Sequence, residues 1–205
     1  MEEQESIRNE ILAGIDSQTH ETDIREEHSE KHETAQRVRA GEKEDLDPGL
    51  KSKSRLEYNS NGARIVDCGI SSADSTPLNI LKRGNLYFIE MSVVFDQEVF
   101  GVRYGMLIKT VVGTELGGIA SAPPGQGIDH VAAGTKVKVR LPFRPRLNSD
   151  TYFANVGVVG LSSEGEIFLH RIIDALIFRI IREQDSRITS SVDFSSEKEP
   201  IIEIS

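Results

Sequence analysis

The feature that most constrains this chain is a set of runs in which apolar and polar side chains alternate one for one. In NLYFIEMSVVF (85–95), Tyr87, Ile89, Met91, Val93 and Phe95 form a single apolar row. In TKVKVRLPF (135–143), Val137, Val139, Leu141 and Phe143 face one way, while Lys136, Lys138 and Arg140 face the other. A strand sends successive side chains to opposite faces, so each run predicts an antiparallel strand with one wet face. Similar segments occur at 63–70, 102–112, 114–121 and 151–161, with a tight turn at Val112-Gly113 joining two of them. Several strands punctuated by Gly, Pro, Asn and Ser predict an all-β sandwich rather than βαβ units. The run EIFLHRIIDALIFRIIR (166–182) fits a helix as well as strands. The β-branched and aromatic residues of LIFRII favour an irregular turn over Arg171–Ala175 followed by a strand.

Ahead of the strands the texture is different. Residues 1–54 contain no aromatic residue and hold 15 of the 33 acidic and 8 of the 24 basic side chains, so they carry −7 of the net charge of −9. Such a segment cannot bury enough apolar surface to offset its ordering entropy, and it is expected to be a disordered acidic linker, dispensable for folding, with the domain at 55–205. Pro48-Gly49 supplies the turn signal near that boundary. Within it, Ile7, Ile11, Leu12 and Ile15 recur at helical spacing, but a helix this short is marginal alone. An acidic chain repels phosphate backbones and no Lys/Arg block stands out, so nucleic acid is not an expected partner. No apolar run approaches the roughly 20 residues needed to span a bilayer, and Asp174 and Arg179 break the longest, IIDALIFRII. One cysteine, Cys68, excludes an internal disulfide, and the opening MEEQESIRNE has no signal-peptide pattern, which together fit a cytosolic protein.

Motifs for catalysis are absent. There is no Gly-Lys-Ser/Thr triplet for a phosphate loop, and PGQGIDH (124–130) has only two glycines of a dinucleotide fingerprint and reads as a loop. His28 and His32 stand four apart near His20, but zinc needs three or four converging ligands on a fixed scaffold, so they are expected to be surface histidines. His130 and His170 have Asp129 and Asp174 nearby in sequence and could imitate an acid-base pair. Yet no nucleophile motif accompanies them, and structural roles are expected. Cys68 alternates with Val66 and Ile70, which predicts a buried apolar row rather than a reactive thiol.

Binding chemistry remains. Arg103, Tyr104, Lys109, Arg140, Tyr152 and Asn155 lie on predicted strands or at their ends. They offer the planar hydrogen-bond forks, amides and aromatic faces that hold sugars on a sheet face. They are the candidate carbohydrate contacts, with no catalytic or metal-ligating residue among them.

Five stretches carry a family resemblance: NGARIVDCGI, LKRGNLYFIEMSVVF, FGVRYGMLIKTVVGTELGGIAS, LNSDTYFANVGVV and HRIIDALIFRI. The third fits a G-x-x-I-x-T-x-x-G-x-x-L-x-G hairpin, and the last fits a closing D-A-x-x-F-x-I. Over about residues 58–194 the chain resembles the C-terminal domain of Wzt-type subunits of ABC transporters that export O-antigen polysaccharides. The resemblance implies an immunoglobulin-like or jelly-roll-like sandwich that binds the lipid-linked glycan without altering it, needs no cofactor, and couples the polymer to export. It also implies a transporter membrane subunit and an ATPase domain as partners, a cytoplasmic place at the inner face of the inner membrane, and a homodimer. The apolar pieces RITSSVDF and PIIEIS at the end of the chain would exchange as a strand in that dimer. With the ATPase half missing, the chain reads as an excised fragment or a split subunit. One departure from the family pattern is Ser149-Asp150, where many relatives have Pro-Gly. An interaction or assembly domain with a protein ligand is the alternative reading.

Overall fold

A computed structural model describes residues 43–184, 186–196, 198 and 200–204. The expected helix over Ile7–Ile15 and the histidines His20, His28 and His32 lie outside the described residues.

The described chain is all-β, with two sheets packed face to face. Its strands are β1 (Leu56–Glu57), β2 (Ala63–Ser71), β3 (Ile80–Leu81), β4 (Tyr87–Phe95), β5 (Val99–Thr110), β6 (Glu115–Ala120), β7 (Ile128–Val131), β8 (Lys136–Phe143), β9 (Thr151–Ser162) and β10 (Gly165–Ile180). The larger sheet runs β1-β10-β9-β5-β6, with β7 also on β5 and β3 also on β10; the smaller is β2-β4-β8. All pairings between strands are antiparallel except that of β3 with β10. Among the described residues there is no helix, and hence none long and apolar enough to cross a membrane.

The alternating runs do what their period requires. Along β4 every second residue from Tyr87 to Phe95 is buried, and along β8 Val139, Leu141 and Phe143 face in while Lys136, Lys138 and Arg140 face out. These inner rows meet Tyr104, Met106, Tyr152, Val156, Val158 and Phe178 of the larger sheet in one core. Between β5 and β6 the chain turns through Val112 and Gly113, and Gly113 takes φ 95°, a conformation that costs glycine nothing. At the departure from the family pattern, Asn148 Oδ1 accepts from Ser149 N at 2.9 Å and Asp150 Oδ1 from Thr151 N at 2.7 Å. The Tyr152 hydroxyl donates back to Asn148 O at 3.0 Å, which anchors this strand entry.

Two expectations change where strands carry an extra residue. On β2 the register shifts between Ile65 and Asp67, so Ile65 and Ile70 both reach the core although their spacing is odd. Val66 is therefore 52% exposed and leaves the predicted row, while Cys68, partly buried, packs against the core on the same side as Ile70. Burial raises the Cys68 pKa, although Arg55 Nη1 lies 3.8 Å from its sulfur. The run 166–182 forms no separate turn. Its irregularity lies inside the long strand β10, whose register against β9 shifts between Phe168 and His170 and again between Ile172 and Leu176.

The segment before β1 lies along the sheets. Asp45 O accepts from Asn79 N and Ile80 N, and the Asn79 side chain exchanges bonds with Asp47 N and Asp47 O at 2.7 and 2.8 Å. His170, on β10, links the sheets: its Nδ1 accepts from Ile65 N at 3.1 Å. The imidazole is thus neutral with its proton on Nε2, which faces Glu57 Oε1 at 3.5 Å.

Candidate functional site

The outward face of the larger sheet carries a groove of about 350 Å³ over β6, β5, β9 and β10. Strand register fixes its layout. Phe168, Val159 and Arg103 stand in one cross-strand row, Arg171, Gly157, Gly105 and Ala120 in the next, and Asn155, Leu107 and Gly118 in a third. The middle row has glycines on both central strands, so the groove is floored by backbone. A Cβ on Gly157 would come within 3.1 Å of the Phe168 ring, which leans over it. Phe168 is 53% exposed, and the Arg171 guanidinium sits 5.0 Å from its ring centre.

Arg103 walls one end. Its Nε and Nη2 donate to the two carboxylate oxygens of Glu166 at 2.7 and 2.5 Å, and Nη1 donates to Ala122 O at 2.8 Å. This fork holds the Glu166 carboxyl below the usual carboxylate range. At the other end, three residues of β10 (173–175) oppose Asn155 alone. The middle one, Asp174, has φ 50°, and its N–H donates to Asn155 Oδ1 at 2.8 Å. Asp174 Oδ2 accepts from Ser54 Oγ at 2.6 Å; Oδ1, which has no well-angled hydrogen bond, faces Lys109 Nζ at 2.7 Å.

The structure separates the six predicted residues. Arg103 and Asn155 border the groove, and Lys109 lies one row beyond, committed to Asp174. Tyr104 and Tyr152 point into the core, where burial pushes both hydroxyls up to about 12. Their strands alternate out of phase with the groove, so neither phenol lies on the exposed face. Arg140 is on the smaller sheet, bonded to Glu90 at 3.0 Å and stacked 4.2 Å from the Phe88 ring. Phe168, Arg171, Gly105 and Gly157 were missed by sequence reasoning. Phe168 and Arg171 are three apart, a spacing that alternation assigns to opposite faces, and the register shift at Phe168/His170 puts them on the same one. The histidines that could imitate an acid-base pair are paired elsewhere: His130 Nε2 meets Glu98 at 2.7 Å and His170 Nε2 meets Glu57 at 3.5 Å.

The fold and the groove together define an all-β sandwich domain with an open, backbone-floored groove on one sheet. Within that class, the Wzt C-terminal domain family matches residues 54–194, and the chain belongs to this family. Membership implies a role in O-antigen transport. The fold is similar to that in the crystal structure of the C-terminal domain of Wzt, with a TM-score of 0.65 and 24% identity over 74% of this chain and 92% of that one. At that identity the likeness speaks for the fold. No curated relative matches the chain.

Proposed function

We propose that this domain binds the O-antigen glycan in the groove of the larger sheet, leaves it chemically unchanged, and thereby couples it to export by an ABC transporter. The observation that carries the reading is the open backbone floor at Gly105, beside the exposed Phe168 ring that leans over Gly157 and the hydrogen-bonding edges of Arg171 and Asn155. Backbone at the bottom of a groove lets a sugar ring lie close, an aromatic face takes its C–H surface, and an arginine fork serves its hydroxyls. The partners are the membrane subunit and ATPase domain of the exporter, which places the chain in the cytoplasm at the inner face of the inner membrane. The linker reading belongs to the same proposal for residues 1–42 alone, because Asp45, Asp47 and Ser54 are bonded to the sandwich and the expectation that all of 1–54 is dispensable does not hold for them.

Calorimetry of the full chain with O-polysaccharide from the source cell tests it. Gly105→Val should abolish binding while the fold persists, since a Cβ there meets nothing closer than Ile119 O at 3.6 Å. Phe168→Ala should weaken it by about 1 kcal/mol, since covering the exposed half of a Phe side chain contributes roughly half of the 1.5–3 kcal/mol for burying a whole one. Unchanged affinity in both variants refutes the site, and release of shortened glycan refutes the non-catalytic role.

The same proposal includes a homodimer by exchange of the C-terminal segment. The bridge Leu147–Val192 holds this segment to the connection between β8 and β9 of its own chain, but Phe194, Ile201, Ile202 and Ile204 beyond it are almost fully exposed. Apolar strand-like residues left in water favour pairing with a second copy. Sedimentation equilibrium should give twice 22.7 kDa, and a monomer throughout the accessible range overturns the dimer.

A further inference from the structure

Charge in the groove is unevenly compensated. Its lining includes two cations, Arg103 and Arg171, and no carboxylate. Arg103 is neutralised by the bidentate Glu166 pair, and all three of its nitrogen positions are used. Lys109, one row away, is neutralised by Asp174. Arg171 differs: among the described residues no carboxylate lies within ion-pair distance of it, and its contact is the Phe168 ring at 5.0 Å. Stacking on a ring steadies a guanidinium plane while leaving the N–H groups at its edge to bond elsewhere.

Resting on the reading of this groove as a glycan site, we propose that the glycan recognised here carries a carboxylate sugar, such as a uronate residue, and that Arg171 receives its carboxylate. A planar carboxylate fits the guanidinium edge through two parallel N–H···O bonds, each roughly twice as strong as a neutral pair. A sugar hydroxyl would leave the positive charge uncompensated. One net positive charge matches a monoanion, which favours a carboxylate over a phosphate dianion. The chain's charge of −9 does not oppose this at close range, because fields beyond about 8 Å are screened at physiological ionic strength. It does disfavour a polyanionic track, so the acid is read at one position. Arg171 thereby selects among glycans, while Phe168 and the glycine floor supply contact that any sugar ring can use.

The test titrates the full chain with methyl glucuronoside and methyl galacturonoside, following the amide resonances of Gly105 and Gly157. The methyl esters of both, methyl glucoside and glucose 6-phosphate are the comparison probes. A uronate should bind about tenfold to a hundredfold more tightly than its own ester, the span of a hydrogen bond to a charged group, and raised salt should erode the difference. Arg171→Gln should remove the preference, and Arg171→Lys should restore only part of it. The ester comparison needs no variant, so it decides the matter even if a substitution disturbs folding. Equal binding of uronate, ester and glucoside at the two glycines overturns the carboxylate assignment and leaves the groove a neutral-glycan site. Preference for glucose 6-phosphate overturns the choice of carboxylate over phosphate. Failure of both uronates to perturb either glycine at saturating concentration overturns the inference, whereas failure of the whole O-polysaccharide to bind overturns the underlying reading.

Discussion

Asp174 sits where β10, β5, β9 and the segment ahead of β1 converge, and replacing it should destabilise the domain more than any other single polar change. Its side chain is 8% exposed and that of Lys109 16%, so the pair is largely withdrawn from water. Removing one partner of a buried pair costs about 3–5 kcal/mol because the other charge is left uncompensated. In Asp174→Ala the Ser54 hydroxyl also loses its acceptor, and alanine takes on φ 50°, a left-handed conformation costing roughly 1–2 kcal/mol. A loss of about 4–6 kcal/mol is expected. Asp174→Asn should cost about 1–3 kcal/mol, because asparagine tolerates that backbone conformation and can turn its amide oxygen to the Lys109 ammonium while its NH2 donates to the Ser54 hydroxyl, so the opposite charge is lost but both contacts are kept. At roughly 2–4 °C per kcal/mol for a domain of this size, the alanine variant should melt at least about 8 °C below the parent. Urea and thermal unfolding followed by circular dichroism measure both. Adding Lys109→Met to Asp174→Asn should recover part of the loss, since the uncompensated cation is then gone. Equal stability of the alanine and asparagine variants, or a cost below about 1 kcal/mol for alanine, would refute this account of the pair.

Three further outcomes follow from named contacts. Tyr104→Phe should be neutral or stabilising by up to about 1 kcal/mol, since its buried hydroxyl has no partner, whereas Tyr152→Phe should lose about 1 kcal/mol with the bond to Asn148 O; equal losses in urea unfolding contradict this. Burial lowers the pKa of His170 below 6.5, while Glu57 opposes the shift and Arg64 and Arg55 reinforce it. The unfolded chain therefore binds the proton first, so the stability tied to His170 is intact above about pH 6.5 and is lost as pH falls toward the folded-state pKa. His170→Gln should flatten that part of the stability–pH curve, and an unchanged slope counts against it. Deleting residues 1–54 should lower the melting temperature, because Asp45, Asp47 and Ser54 bond to Asn79, Ile80 and Asp174; deleting 1–42 spares those bonds, and equal melting of the two truncations would deny them a role.

What the sequence by itself determined is the set of strands and their inner rows. The alternation in Tyr87–Phe95 and Lys136–Phe143 has one solution, because a one-residue slip would turn every apolar side chain to water. Turn residues such as Gly113 marked where those strands stop. The groove was legible only in part: Arg103 and Asn155 were found as polar residues on strands, but Tyr104 and Tyr152 were chosen by chemistry, and their place in the alternation buries them. Phe168, Arg171 and Asp174 depended on the tertiary structure. Each lies beside a register shift on β10, and a bulge breaks the strict period that makes a strand readable from its own residues. Whether a strand bulges is decided by what the neighbouring strand and the opposite sheet can pair and bury, here Gly157 beside Arg171 and Asn155 beside Asp174. Those residues are distant in the chain, so no local pattern records the choice.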